Sequence, residues 1–213
     1  MVDLGWFDGW RPRSGQLTTW TVLSSARSAM LQTPACTTPV RGWQQRYLRA
    51  THRLAGTNCP HVRLRITDFG IAGRPDIAAM TRAITELVRR HDSFRTWFSV
   101  EPDGRVLRHL LAPEEVELVA TARGDLADGR AISAAVRADV PDALHWDCFG
   151  FGVIEHEHSF TTYVAVDRLH SDTATTATDL QALYETHTYG STRPGTPTAE
   201  VVRRHTNCYR TVG

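Results

Sequence analysis

Between Val62 and Phe69 the apolar residues Val62, Leu64 and Ile66 alternate with charged or polar ones, the period-two signature of a half-buried strand. A few positions later the period changes. Ile77, Met80, Ile84, Leu87 and Val88 fall at helical spacing, with Pro75 and Asp76 as a start signal and Arg89 and Arg90 at the end, where basic charge complements the helix dipole. The same reading places a strand over 16–23 (QLTTWTVL), a short helix over SARSAMLQ, and a helix over 44–54 with Tyr47, Leu48 and Leu54 on neighbouring faces. Pro-Asp-Gly in EPDG (101–104) predicts a hairpin turn joining RTWFSV to RVLRHLL. Further strands are expected at 116–120, 148–155 and 160–166, with helices at 130–138 and about 174–184.

The strands and helices do not alternate regularly and no internal repeat is seen. That order predicts an α+β fold, with helices packed on a mixed β-sheet. The run GSTRPGTPT, after Gly190, reads as a linker. The expected division is therefore a lobe over 1–190 and a linker-like tail over 191–213.

Composition changes this picture little. With 213 residues, 41% of them hydrophobic and 22% charged, the chain can bury a real core. A net charge of +1 suggests no nucleic-acid footprint. The N-terminus lacks a signal-like apolar core, and the longest apolar run, around 148–154, is too short to span a bilayer. Cys36, Cys59, Cys148 and Cys208 are scattered without a CxxC pair, so a reduced, cytoplasmic chain is the default expectation.

Several motifs invite a chemical reading and then lose it. The HEH at 156–158 has no HExxH frame, and a hairpin tip explains its histidines better than a metal does. The FGFG at 149–152 is followed by no third glycine and no helix, so its glycines are read as letting a strand lie close to a neighbour. No GxSxG elbow and no GxxxxGK[ST] loop is present.

Two segments carry more. RHDSFRTWF (90–98) reads by composition as a helix end followed by a strand, with Phe94 and Phe98 in the core. It also resembles the RHxxLRTxF signature of the condensation-domain superfamily, acyl-transferring proteins with a chloramphenicol-acetyltransferase-like fold. VDRLHSD (166–172) resembles that superfamily's HxxxD loop, with Arg168 and Asp172 filling the frame. Residues 73–80, 89–98, 144–152 and 167–172, in order, are similar to one branch, the polyketide-associated acyltransferases of mycobacteria and related actinobacteria. Members of that branch esterify trehalose-type glycolipids. The resemblance runs from about Trp10 to about Tyr184.

The resemblance implies an N-terminal lobe of a two-lobed enzyme with its tunnel between the lobes. The implied donor is an acyl thioester on an acyl carrier protein or coenzyme A, with no bound cofactor or metal. The implied partners are an acyl carrier protein or polyketide synthase, and a separately encoded second lobe or a second copy. The expected location is the cytoplasm, with the periphery of the inner membrane face as the other expectation.

In the family the motif histidine is the general base and the aspartate orients the loop. Carried over, the aspartate role falls on Asp172 and the base role on position 168. Arginine there stays protonated and offers only donors, so it can stabilise an oxyanion but cannot abstract a proton. His170 is the candidate substitute. In extended chain it shares a face with residue 168 at roughly 6.5–7 Å, and the Arg168 charge would favour its neutral form. The other readings are a non-catalytic lobe, its loop locked by an ion pair from Arg168 to Asp172 or Asp167, and a degenerate remnant. Thr173, where the superfamily often has glycine, is a lesser departure.

Overall fold

The computed structural model describes residues 9–55, 64–169 and 173–190. Among these described residues, seven strands and six helices follow in the order β1 (Gly15–Val22), α1 (Ser24–Gln32), α2 (Gly42–Leu54), β2 (Leu64–Ala72), α3 (Ile77–Arg90), α4 (Asp92–Arg95), β3 (Thr96–Val100), β4 (Val106–Leu110), β5 (Leu118–Leu126), α5 (Gly129–Asp139), β6 (Phe149–Glu155), β7 (Ser159–Asp167) and α6 (Thr173–Tyr189). A single 3₁₀ turn, Pro113–Glu115, leads into β5.

Five strands form one sheet in the order β2-β7-β6-β1-β5, and β3 and β4 form a separate hairpin. The α+β layering agrees with the sequence. Every pairing among these strands is antiparallel, where a mixed sheet was expected.

Alternation along the strands sends side chains to two cores. Phe149, Phe151 and Val153 of β6, with Phe160, Val164 and Val166 of β7, face the larger core, which α3 and α6 cover. Ile154, Tyr163 and Ala165 point the other way, where Ile132 and Val136 of α5 pack on them with Trp10 and Leu17. Central strands buried on both faces read as nearly continuous apolar runs, which is how β7 reads. Each large aliphatic or aromatic side chain buried here contributes about 1.5–3 kcal/mol.

Helix α3 begins where the sequence signals it. The Asp76 carboxylate accepts from the Ala79 amide at 2.9 Å, capping the first turn. The Asp76 amide in turn donates to the Tyr184 hydroxyl at 3.0 Å, which ties α6 to the start of α3.

The two glycines of β6 serve close packing, as the motif suggested. A Cβ at Gly152 would lie 2.4 Å from Tyr163 ring atoms, and one at Gly150 would lie 2.8 Å from Val140. The β3–β4 turn closes with Gly104 at φ 81°, its amide donating to the Glu101 carbonyl at 2.8 Å.

Candidate functional site

RHDSFRTWF becomes the end of α3, the one-turn α4 and the start of β3. Arg95 is buried and holds this corner by donating to the Leu111 carbonyl and to Asp92 Oδ1, each at 2.5 Å. Phe94 meets Phe149 edge-on at 5.3 Å, and the Trp146 indole donates to the Phe94 carbonyl at 2.6 Å. The segment's role here is structural: it links a helix to a core strand. Asp147, next to Trp146, pairs with Arg27 at 2.5 Å.

The HEH motif sits at the β6–β7 turn. His156 places one ring nitrogen 3.0 Å from the Ser14 carbonyl and the other 3.0 Å from Thr161 Oγ1, so it ties the hairpin to the residue before β1. Among the described residues, no group of three or more His, Cys, Asp or Glu side chains is gathered as a metal would need. Cys148 is buried and Cys36 half-buried, both as thiols. Cys59 and Cys208 lie outside the described residues.

The VDRLHSD loop leaves the end of β7. Asp167, the last residue of the strand, has no exposed surface. Its carboxylate accepts from the Tyr47 hydroxyl and from the Leu169 amide, each at 3.0 Å. Arg168 is exposed, with its guanidinium carbon 5.4 Å from the centroid of the Tyr47 ring. It therefore makes a cation–π contact with Tyr47 and not the ion pair with Asp167 that one sequence reading allowed. His170 and Asp172, the other two expected site residues, lie outside the described residues.

Arg168 and Leu169 form part of the wall of a cavity of about 550 Å³. Its other walls come from distant parts of the chain: Arg41 and Trp43 at the start of α2, Arg65 on β2, Trp97 and Arg108 on the hairpin. His145, in the loop before β6, also lines it. The volume suits a small ligand. No Asp or Glu lines it among the described residues.

The hairpin wall is held by a buried histidine. His109 stacks on Trp97 at 3.9 Å and 12°, with its ring nitrogens 2.9 Å from the Thr33 carbonyl and 3.0 Å from Ser99 Oγ. Sequence reasoning missed this cavity entirely. Arg41, Arg65 and Arg108 look like ordinary surface charges in their local patterns, and only the topology brings them to Arg168.

The architecture is shared with solved structures. A starter condensation domain of rhizomide synthetase RzmA aligns at a TM-score of 0.53 with 18% identity, over 76% of this chain and 40% of that one. An X-domain from teicoplanin biosynthesis aligns at 0.52 with 21% identity, over 78% of this chain and 37% of that one. These likenesses define the fold as that of a condensation-domain lobe.

No family model matches the sequence. Similarity to individual proteins is more specific. The chain is 35% identical over 175 residues to 2'-acyl-2-O-sulfo-trehalose (hydroxy)phthioceranyltransferase PapA1 of Mycobacterium tuberculosis (strain CDC 1551 / Oshkosh), covering 80% of this chain and 33% of that protein. It is 30% identical over 163 residues to trehalose-2-sulfate acyltransferase PapA2 of Mycobacterium bovis (strain BCG / Pasteur 1173P2), covering 75% and 34%. A solved PapA2 acyl transferase aligns at a TM-score of 0.77 with 25% identity, over 90% of this chain and 42% of that one. The chain is thus similar in sequence and fold to the PapA acyltransferases over three quarters or more of its own length. It spans about a third of the length of the curated relatives it matches.

Proposed function

We propose that this chain supplies the loop-bearing half of an O-acyl-transfer site, and that the site is impaired in proton abstraction. The reaction is transfer of a long-chain acyl group from a carrier-protein or coenzyme A thioester to a hydroxyl of a trehalose-type glycolipid. In that chemistry a neutral imidazole takes the hydroxyl proton as the oxygen attacks the thioester carbonyl, and the thiolate leaves. The observation that carries the reading is the position of Arg168 at the end of β7, on the wall of the cavity, in the frame where the family has its base.

Arginine cannot take the proton. It can only stabilise negative charge developing on the substrate. The substitute base is His170, and Asp172 holds the loop. Residues 1–190 form the lobe and 191–213 the tail that follows it, with an acyl carrier protein or polyketide synthase and a complementary second lobe or second copy as partners. Location follows the substrates, at the cytoplasmic side and the periphery of the inner membrane. Among the described residues no helix is long and apolar enough to cross a membrane.

The test is ester formation from an acyl thioester and trehalose, measured with a complementary second lobe present. Slow transfer that His170→Ala abolishes supports the assignment of the base. Transfer unaffected by His170→Ala removes it.

The second reading is a non-catalytic lobe, favoured by the same Arg168. Retention of an acyl carrier protein in a pull-down, with no thioester consumed, decides for it.

A further inference from the structure

Positive charge is unevenly placed along this nearly neutral chain. Between Asp8 and Asp68 it carries nine arginines and no aspartate or glutamate, although the net charge of the whole is +1. Helix α2 lies inside that stretch, and none of its 13 residues is acidic. Leu48 is fully buried on its inner face, in one apolar cluster with Phe98, Val106 and Ala143. The outer face is exposed and basic. Arg46, Arg49 and Arg53 follow one another three and four residues apart, so they form a single row along the helix.

The row is not neutralised within the fold. None of its three guanidinium groups has an ion-pair partner among the described residues. Arg49 donates to the Gly104 carbonyl at 2.7 Å, which steadies the middle of the row against the hairpin turn. The acids facing the end of α2 are Glu101 and Asp103, which share the wall of a cleft with Arg49 and Arg53. Asp103 is engaged instead by the Arg105 amide, at 2.8 Å. Trp43 stands one turn before Arg46 and is 40% exposed. It also lines, with Arg41, the cavity at the end of β7.

We propose that the outer face of α2 docks the lobe on an anionic lipid bilayer, with Arg46, Arg49 and Arg53 meeting lipid phosphates and Trp43 at headgroup depth. Charge complementarity calls for an acidic occupant, because no acid of α2 offsets the row. The indole decides for a bilayer. Tryptophan favours the boundary between headgroups and acyl chains, and a basic helix face with an indole beside it is the composition of an interfacial helix. Because Trp43 also lines the cavity, the same contact brings the cavity wall to the lipid surface. The proposal rests on the acyltransferase-lobe reading in one respect: a glycolipid acceptor would reach the cavity from that surface. It adds the face that holds the chain there.

The experiment is co-sedimentation of the full chain with vesicles of equimolar phosphatidylglycerol and phosphatidylcholine, beside vesicles of phosphatidylcholine alone. The anionic vesicles should bind about ten-fold more tightly or better, and rising salt should release the chain. Arg46→Gln/Arg53→Gln, which leaves the Arg49 bond to Gly104 in place, should weaken binding by about ten-fold or more. Arg82→Gln/Arg130→Gln removes the same charge from exposed positions of α3 and α5 and should leave binding within about two-fold. Lipid brominated in its acyl chains should quench part of the tryptophan fluorescence, and Trp43→Phe should abolish that part. Thermal melts of each variant separate weakened binding from unfolding. Equal binding to both vesicles, equal losses in the two double variants, or quenching that survives Trp43→Phe overturns the proposal. So does retention of an acidic carrier protein by the arginine row while vesicles stay unbound. Acyl transfer to trehalose measured in parallel keeps the two readings apart: transfer without vesicle binding sinks the docking face alone, and vesicle binding without transfer sinks the enzyme alone.

Discussion

The Arg168 guanidinium lies over the ring of Tyr47, 5.4 Å from its centroid, while the Tyr47 hydroxyl donates to the buried Asp167 at 3.0 Å. One side chain of α2 thus anchors two consecutive residues at the end of β7, one through its face and one through its edge. Tyr47→Phe removes only the hydroxyl and leaves part of a buried carboxylate's hydrogen bonding unmet. It should cost about 1–3 kcal/mol in urea unfolding, with little change in what Arg168 does. Unchanged stability would show that the Tyr47–Asp167 bond does not hold the loop.

Gly152 is fixed by Tyr163. The added methyl of Gly152→Ala would overlap ring carbons at 2.4–2.5 Å in a fully buried side chain. The cost should be about 3 kcal/mol or more, since neither β6 nor the ring can move away cheaply. Tyr163→Phe should not rescue it, because two of the three clashing atoms are ring carbons. Rescue by Phe in a thermal melt would place the clash on the hydroxyl alone.

Burial pushes the Tyr163 phenol far above its ordinary value, with the Asp139 charge adding to the shift and Arg123 opposing it. The folded group stays protonated while the unfolded one ionises near pH 10. Its contribution is therefore intact below about pH 10 and falls as pH rises above it, by up to about 1.4 kcal/mol per pH unit. Unfolding free energies measured from pH 8 to pH 11.5 should decline above pH 10. The decline should be shallower in Tyr163→Phe, and equal slopes would refute the assignment.

How far the sequence could be read follows from what each element depends on. Helix α3 was legible to within a residue or two because periodicity, the Asp76 cap and the terminal arginines agree. β6 and β7 were legible from their apolar runs, and the glycine pair from its place inside one of them. β5 runs to Leu126, well past its apolar start, because pairing with β1 carries it as a solvated edge strand. α6 extends to Tyr189, five residues beyond Tyr184, through a largely polar, partly exposed last turn with no apolar stripe to announce it. The VDRLHSD frame was visible by its spacing. The cavity was not, because Arg41, Arg65 and Arg108 carry no local signature and meet only when α2, β2 and the hairpin close around the end of β7.

The central claim is that position 168 is the base position and that arginine there suppresses transfer. Acyl transfer from a thioester to trehalose by the Arg168→His chain, beside the parent and with the same second lobe, tests it most directly. Restoring an imidazole should raise the rate by about 100-fold or more, the usual scale of general-base catalysis. A parent that transfers as fast as Arg168→His would contradict the claim.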